Sequence, residues 1–351
     1  MAYTTIDDPE AYFQVELWTG TGGSLSPTFD GDTDLQPDLI WLKDRDDTYN
    51  HFLFDSVRGA LKEVRSNTTA AEATLANSVS AFNSDGFTLG TDANTNASGD
   101  KFVAWCWKAG TSFSNDASST SVGTIDSAGS VNTDAGFSIV AYTGNGSTNQ
   151  SVAHSLGVTP KIKIIKNRSA DGPWTVSGAL FEADNRCFLN TTAAVGSVSG
   201  YYPNDASTTF AVSGSNSGSG HNTNNENYIA YLFAEKKGYS KFARFHANGN
   251  ANGTFVYTGF RPAFVIIKEI SGTANWFIFD NKRLGYNGAV YRLKADTNEA
   301  GNTSNVMDLL SNGFKLRVAD GDKNESGARY VCFAFAEQPF VTSKGVPANA
   351  R

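Results

Sequence analysis

Three imperfect copies of one pattern divide this chain, and they constrain its fold more than any single motif does. In the best-preserved copy, residues 137–168, two apolar segments flank a loop that is rich in glycine and asparagine. Weaker copies occupy residues 13–45 and 242–270. Because related segments follow each copy, the sequence predicts three similar units of about one small domain each.

Each unit closes with a segment in which small and large apolar residues alternate. These segments begin at Phe102, Tyr228 and Tyr330 and read FVAWCWKAG, YIAYLFAEK and YVCFAFAEQ. In a β-strand, a period of two places the aromatic residues on one face and the small residues on the other. Since both faces are apolar, we expect each segment to be a central strand that is covered on both sides.

The short alternating segments, separated by glycine and asparagine turns, predict an all-β fold of three tandem β-sandwich repeats. The repeats are jelly-roll-like and about 100 residues long. The predicted parts are an N-terminal arm (1–11), repeat 1 (12–111), a linker (112–135), repeat 2 (136–237), repeat 3 (238–341) and a C-terminal tail (342–351). The linker is rich in serine, threonine and glycine, which is typical of a segment that is mobile or lies over a surface.

Charge and hydropathy exclude two classes of partner. The net charge of −7 argues against nucleic acid, because phosphate binding relies on clustered lysine and arginine. No apolar run approaches the roughly 20 residues that span a bilayer, so we expect no membrane insertion. The N-terminus lacks the basic start and apolar core of a secretory signal, which predicts synthesis in a cytoplasm.

The sequence contains no motif with a recognisable catalytic chemistry. Its four histidines fall in separate segments without metal-ligand spacing, and no serine lies in a nucleophile elbow. Aspartate and arginine recur three residues apart, as Asp55 with Arg58 and Asp280 with Arg283, and we interpret these pairs as structural ties. We therefore expect a protein that is not an enzyme.

Four aromatic residues are candidates for binding a glycan or a protein receptor. Trp18, Tyr142, Tyr201 and Tyr202 lie in or beside polar segments, where an exposed ring can stack on the apolar face of a sugar. The alternative is that these rings are buried in the core. Tyr201 and Tyr202 are of particular interest because they fall where repeat 2 differs most from the other two.

One acidic loop resembles the spacing of a calcium loop. Asp320, Asp322 and Asn324 place side-chain oxygens at alternate positions, and calcium prefers six to eight oxygen ligands. The loop lacks the glycine and the distant glutamate of a helical-hand site. The competing interpretation is a solvated hairpin loop, and calcium is the only cofactor that the sequence suggests.

Several sequence segments, in their order along the whole chain, indicate a family resemblance. The opening MAYTTIDDPEAYF, the YTGNG turn, PKIKIIKNR, NYIAYLFAEKKGYSKF, GFRPAFVIIK and the ending SKGVPANAR resemble virion-associated proteins of marine tailed bacteriophages, including cyanophages. The resemblance implies a phage structural protein that is made in the host cytoplasm and resides in the virion. Its implied role is that of a tail-fibre or adhesin-like appendage, with other virion proteins and a host surface glycan or protein as partners.

Two alternatives to a tail fibre remain open, as does the oligomeric state. One alternative is a capsid decoration or head appendage protein, and the other is a depolymerase that cleaves surface polysaccharide. A homo-oligomer is expected because the edge strands of sandwiches must be paired or protected, and phage fibres are commonly trimers. Three related modules in one chain could instead imitate a trimer around a pseudo-threefold axis.

Overall fold

The computed structural model describes residues 2–182, 185–197, 205–214, 220–283 and 290–348. These residues form antiparallel β-structure almost throughout, which confirms the predicted all-β fold. Within them, no helix is long and apolar enough to span a membrane. The helices are short: a 3-10 turn at Pro9–Ala11, α1 (Ala93–Asn96), α2 (Ala117–Thr120) and α3 (Gly321–Asn324).

Repeat 1 forms a six-stranded sheet and a small second sheet. In chain order, its strands are β1 (Phe13–Thr19), β2 (Leu39–Asp44), β3 (Phe52–Asp55), β4 (Lys62–Arg65), β5 (Ala73–Thr74), β6 (Val79–Phe82), β7 (Phe87–Leu89) and β8 (Lys101–Trp107). The large sheet has the order β1-β8-β2-β3-β4-β5, and β6 pairs with β7 in the small sheet.

Repeat 2 has the same core and two extra strands at one edge. Its strands are β9 (Thr111–Asn115), β10 (Ser127–Asn132), β11 (Phe137–Thr143), β12 (Gln150–Ala153), β13 (Ile162–Asn167), β14 (Thr175–Ser177), β15 (Asn185–Phe188), β16 (Gly196–Ser197), β17 (Thr209–Val212) and β18 (Asn227–Phe233). The large sheet has the order β16-β15-β14-β13-β18-β11-β10-β9, and β12 pairs with β17.

Repeat 3 returns to six strands in the large sheet. Its strands are β19 (Ser240–His246), β20 (Phe255–Tyr257), β21 (Phe260–Glu269), β22 (Trp276–Asp280), β23 (Val290–Lys294), β24 (Asn302–Ser304), β25 (Met307–Leu310), β26 (Gly313–Leu316) and β27 (Arg329–Pro339). The large sheet has the order β19-β27-β21-β22-β23-β24, and the small sheet is β20-β26-β25. In all three repeats, the last strand therefore lies between the first and second strands of the core.

The segment predicted as a linker is not a linker. Strand β9 pairs with β10, and β10 pairs with β11, so residues 112–115 and 127–132 belong to the sheet of repeat 2. Small side chains allow this close pairing. A Cβ at Gly129 would lie 2.0 Å from the carbonyl oxygen of Ile139, so only glycine fits there.

The large sheets do not form three independent sandwiches, because their inner faces share one core. In β8, Trp105 and Trp107 face this shared core, whereas Ala104 and Cys106 face the small sheet of repeat 1. Strand β18 divides its side chains in the same way. The last strands β8 and β18 are thus buried on both faces, as expected. One face is covered by the small sheet of the same repeat and the other by the shared core of all three repeats.

Three equivalent aromatic residues mark the centre of the shared core. Trp107, Phe233 and Phe335 occupy the same position in β8, β18 and β27, and each ring contacts the other two. The ring centroids are 6.3 Å apart for Trp107 and Phe233, 5.4 Å for Trp107 and Phe335, and 5.6 Å for Phe233 and Phe335. This mutual contact places the three repeats around a pseudo-threefold axis.

Backbone hydrogen bonds at equivalent positions close the repeats into a ring. Each donor follows β4, β15 or β23 of one repeat. Its acceptor is the residue directly after β13, β21 or β2 of the next repeat. The bonds run from Glu72 N to Arg168 O, from Val195 N to Ile270 O, and from Gly301 N to Arg45 O. Because repeat 1 bonds to repeat 2, repeat 2 to repeat 3, and repeat 3 to repeat 1, the arrangement has no open end.

Candidate functional site

A large concavity lies on the extended sheet of repeat 2. It is an open groove of about 630 Å³ that runs from the end of β9 across β10 and β11 to the ends of β13 and β18. Among the described residues, repeats 1 and 3 have no strands equivalent to β9 and β10. The groove is therefore a feature of repeat 2 alone.

A row of small side chains forms the floor of the groove. Ser114 on β9 pairs with Ala128 on β10, which pairs with Ala141 on β11. Residues that pair across neighbouring strands project from the same face of the sheet. Three small side chains in register leave a furrow where larger residues would fill the face.

Two carboxylates lie on the loop that borders the groove. Asp116 caps α2 by accepting hydrogen bonds from the backbone amides of Ser118 and Ser119, at 3.0 and 3.1 Å. Hydrogen bonds from the serine hydroxyls and these amides lower the pKa of Asp116. Asp126 accepts a hydrogen bond from the amide of Ala117 at 2.8 Å. The loop is thus held in one conformation by its own acidic side chains.

The opposite end of the groove is fixed to repeat 1. The guanidinium of Arg168 donates two hydrogen bonds to Glu72, from Nε at 2.8 Å and from Nη2 at 3.1 Å. Glu72 also contacts the buried guanidinium of Arg58 at 3.3 Å, and its two arginine neighbours hold its pKa below the usual value against the effect of burial. The wall at Arg168 is therefore a rigid junction between two repeats.

Of the two predicted aromatic residues that the structure describes, Trp18 and Tyr142, only Tyr142 contributes to the groove, and its ring is buried. Its hydroxyl donates a hydrogen bond to the carbonyl oxygen of His221 at 2.6 Å, and its ring stacks on Tyr228 with centroids 5.1 Å apart. Only 5% of Tyr142 is exposed, which leaves no free ring face for a sugar. Tyr142 shapes the wall.

The other predicted aromatic residues lie away from the groove or cannot be placed. Trp18 is half-buried on β1 and stacks on Phe102, with centroids 5.3 Å apart and the planes within 9°. Tyr201 and Tyr202 lie outside the described residues. Among the described residues, the exposed large aromatic rings are instead Phe255 and Tyr257, which alternate along the edge strand β20 of repeat 3. An alternating FVY segment is a signal that the sequence did contain.

The loop predicted as a calcium site has protein partners for its key oxygens. Asp320 caps α3 by accepting from the amide of Asp322, and it pairs with Lys323 at 2.8 Å. Asn324 is fully buried, and its amide group donates to the carbonyl oxygens of Asn250 and Val318. Over the described ranges, no group of three or more His, Cys, Asp or Glu side chains could hold a metal ion.

Comparison with known proteins identifies one family. A family model described as a domain of unknown function, DUF7483, matches residues 8–339, which include all three repeats and the groove. No curated protein and no solved structure matches the chain. The match covers the complete ring as a single unit, and the chain belongs to the DUF7483 family.

Proposed function

We propose that this chain is a structural protein of a bacteriophage virion, where it acts as a tail-fibre or adhesin-like appendage that binds the host cell surface. Two features support the proposal: the resemblance to virion-associated phage proteins, and the polar groove that repeat 2 alone builds on the ring. The groove carries the proposal, because function is expected where otherwise similar repeats differ. A closed ring holds the groove rigidly in place.

The chemistry of the groove suits a glycan. Its borders carry the carboxylate of Asp126 and the amide of Asn227, which can accept from and donate to sugar hydroxyls. Asn145 and Thr124 also line the groove, but their side chains already bond to Ser147, Gln150 and Ser151. The volume of about 630 Å³ lies in the range of small-ligand sites. An open groove also allows a polysaccharide chain to pass through it. We therefore propose a surface polysaccharide as the host receptor.

The groove supports binding more than hydrolysis. Most hydrolytic depolymerases use two carboxyl groups, one of which stays protonated because its pKa is raised. Asp116 and Asp126 both line the groove, but hydrogen bonds lower the pKa of Asp116, which makes it a poor general acid. The proposal is accordingly an adhesin without catalysis.

A capsid decoration protein is the second candidate, and the pseudo-threefold ring favours it. Three equivalent surfaces can dock on three equivalent neighbours, as found at threefold positions of a capsid lattice. Immunogold labelling of intact virions distinguishes the candidates. Label on the tail supports the appendage, whereas label spread over the capsid lattice supports decoration.

Receptor binding is tested with the purified full chain on host cells and on isolated surface polysaccharide. We expect Ala128→Tyr to abolish binding, because the new ring fills the groove at an exposed position without removing a polar contact. Ala93→Tyr is the matched control, since Ala93 is exposed on α1 of repeat 1 and should leave binding unchanged. The adhesin proposal fails if the wild-type chain binds neither host cells nor polysaccharide, or if both variants bind equally well.

A further inference from the structure

The first core strands of the three repeats, β1, β11 and β19, each pair with the last strand of their repeat along one edge. Their other edge is covered differently in each repeat. In repeat 1, the loop at Gly31 and Thr33 bonds to the side chain of Gln14 on β1. In repeat 3, the carboxylate of Glu235 accepts from the amide of Phe242 on β19 at 3.1 Å. In repeat 2, β11 is covered by β10, which is in turn covered by β9.

Strand β9 is consequently the outermost strand of the largest sheet. Among the described residues, no strand pairs with its outer side. The edge strands at the opposite end of the three large sheets are only two or three residues long; they are β5, β16 and β24. Strand β9 has five residues. A free edge of this length exposes backbone groups that can pair with another strand.

The sequence of β9 lacks the usual protection of an edge strand. Natural edges are blocked by lysine, proline, bulges or inward-pointing charges. Strand β9 reads TSFSN, without a charged residue, a proline or a register shift against β10. Thr111, Ser112 and Ser114 are exposed, while Phe113 packs against the core of repeat 2. The edge of β9 is therefore accessible, and the Phe113 side chain holds the strand on the core of repeat 2.

A second copy of β9 is a complementary partner for this edge. In an antiparallel pair centred on Phe113, Ser112 of one copy lies opposite Ser114 of the other, so no like charges meet. The paired residues 111–115 carry no charged side chain, so no charge repulsion opposes this register.

We propose that two copies of this chain associate through antiparallel pairing of their β9 strands about a twofold axis. The interface is isologous, and it joins the two eight-stranded sheets into one. Because the axis is perpendicular to the sheet, both grooves open on the same side of the joined sheet. The dimer could then bind one polysaccharide through both grooves. This consequence rests on the proposed function, whereas the association itself does not.

Sedimentation equilibrium of the full chain tests the association without any host component. We expect a reversible monomer–dimer equilibrium. S112K/S114K places lysine opposite lysine twice across the twofold axis, and it should raise the dimer dissociation constant about tenfold or more. S112K/S114E is the matched control, because each lysine then faces a glutamate and dimerisation should be restored.

Three results would overturn the proposal. They are a wild-type chain that stays monomeric at every concentration, a trimer in place of a dimer, and equal weakening by both double variants. Circular dichroism and melting temperature confirm that the variants fold, as expected for substitutions at exposed positions. Failure to bind host polysaccharide has no effect on these measurements, so the two proposals are tested separately.

Discussion

At the residue scale, one buried asparagine recurs in every repeat and organises the glycine-rich loop. Asn96, Asn222 and Asn324 are all fully buried. Each accepts from a backbone amide of the loop after the first strand, from Thr21, Asn145 and Asn248 respectively. Each also donates to carbonyl oxygens nearby. The alternate oxygens that suggested calcium therefore include a residue whose amide already has a structural role.

Asn96→Ala should destabilise the protein by about 2 to 4 kcal/mol, because it leaves the amide of Thr21 and the carbonyl oxygen of Gly90 without their buried partner. Urea unfolding followed by tryptophan fluorescence measures the effect. Asn94→Ala serves as control, since the side chain of Asn94 bonds only to Asp92 within the same turn, and its effect should stay below about 0.5 kcal/mol. Equal effects of the two substitutions would contradict this role.

Glu16 is a half-buried carboxyl whose pKa is raised to about 7, first by burial and then by the charge of Asp30. The folded state prefers its protonated form, so stability is highest below the ordinary pKa of 4.5 and falls as pH rises towards 7. Glu16→Gln should therefore stabilise the protein by about 1 to 2 kcal/mol at about pH 8, after allowance for solvent screening, and by nothing at about pH 4. Melting temperatures across this pH range test the prediction, with the exposed Glu325→Gln as control.

At the element scale, β9 and β10 show how composition can mislead. Glycine, asparagine and alanine, which all occur in β10, are depleted in strands, and strand propensity depends on the neighbouring strand and the face that is covered. Here the neighbour is β11, whose Val140 and Tyr142 lie in the core of repeat 2. Small residues on β10 permit close pairing and keep the groove open. The context that makes these residues a strand is supplied by residues elsewhere in the chain.

Limited proteolysis separates the strand from the linker interpretation. If residues 112–135 were a mobile linker, a broad-specificity protease would cut there first and release two fragments. We expect residues 127–132 to resist cleavage, because the backbone groups of a strand that is paired on both sides are not accessible to a protease. Early cleavage mapped by mass spectrometry between Ser127 and Asn132 would contradict the pairing of β10.

At the scale of the whole molecule, buried carboxylates join the repeats. Asp55 in repeat 1 accepts from the hydroxyl of Tyr231 in repeat 2 at 2.7 Å, and Asp280 in repeat 3 accepts from the indole of Trp105 in repeat 1 at 2.9 Å. Each aspartate also pairs with its own arginine. The third equivalent donor position is Phe333, which has no polar group, and repeat 2 correspondingly lacks the aspartate.

Removing the hydroxyl of Tyr231 and adding a hydroxyl to Phe333 should both destabilise the protein. Tyr231→Phe removes one hydrogen-bond donor to Asp55, which keeps its pair with Arg58, and should cost about 1 to 2 kcal/mol. Phe333→Tyr buries a hydroxyl where repeat 2 offers no aspartate, and it should cost about 1 to 3 kcal/mol. Calorimetry measures both, with the exposed Tyr257→Phe as control. A stabilising Phe333→Tyr would show that a partner exists there.

The sequence by itself determined the repetition of the core strands and the two apolar faces of each closing strand, because a period of two is a local property of the chain. It also identified the Asp55 and Asp280 ties. Only the tertiary structure decided what covers those faces: Trp107, Phe233 and Phe335 meet on one axis although more than 100 residues separate each from the next. The groove has the same origin, since Ser114, Ala128 and Ala141 become neighbours only through strand register. Register depends on pairing between distant strands, and composition does not encode it.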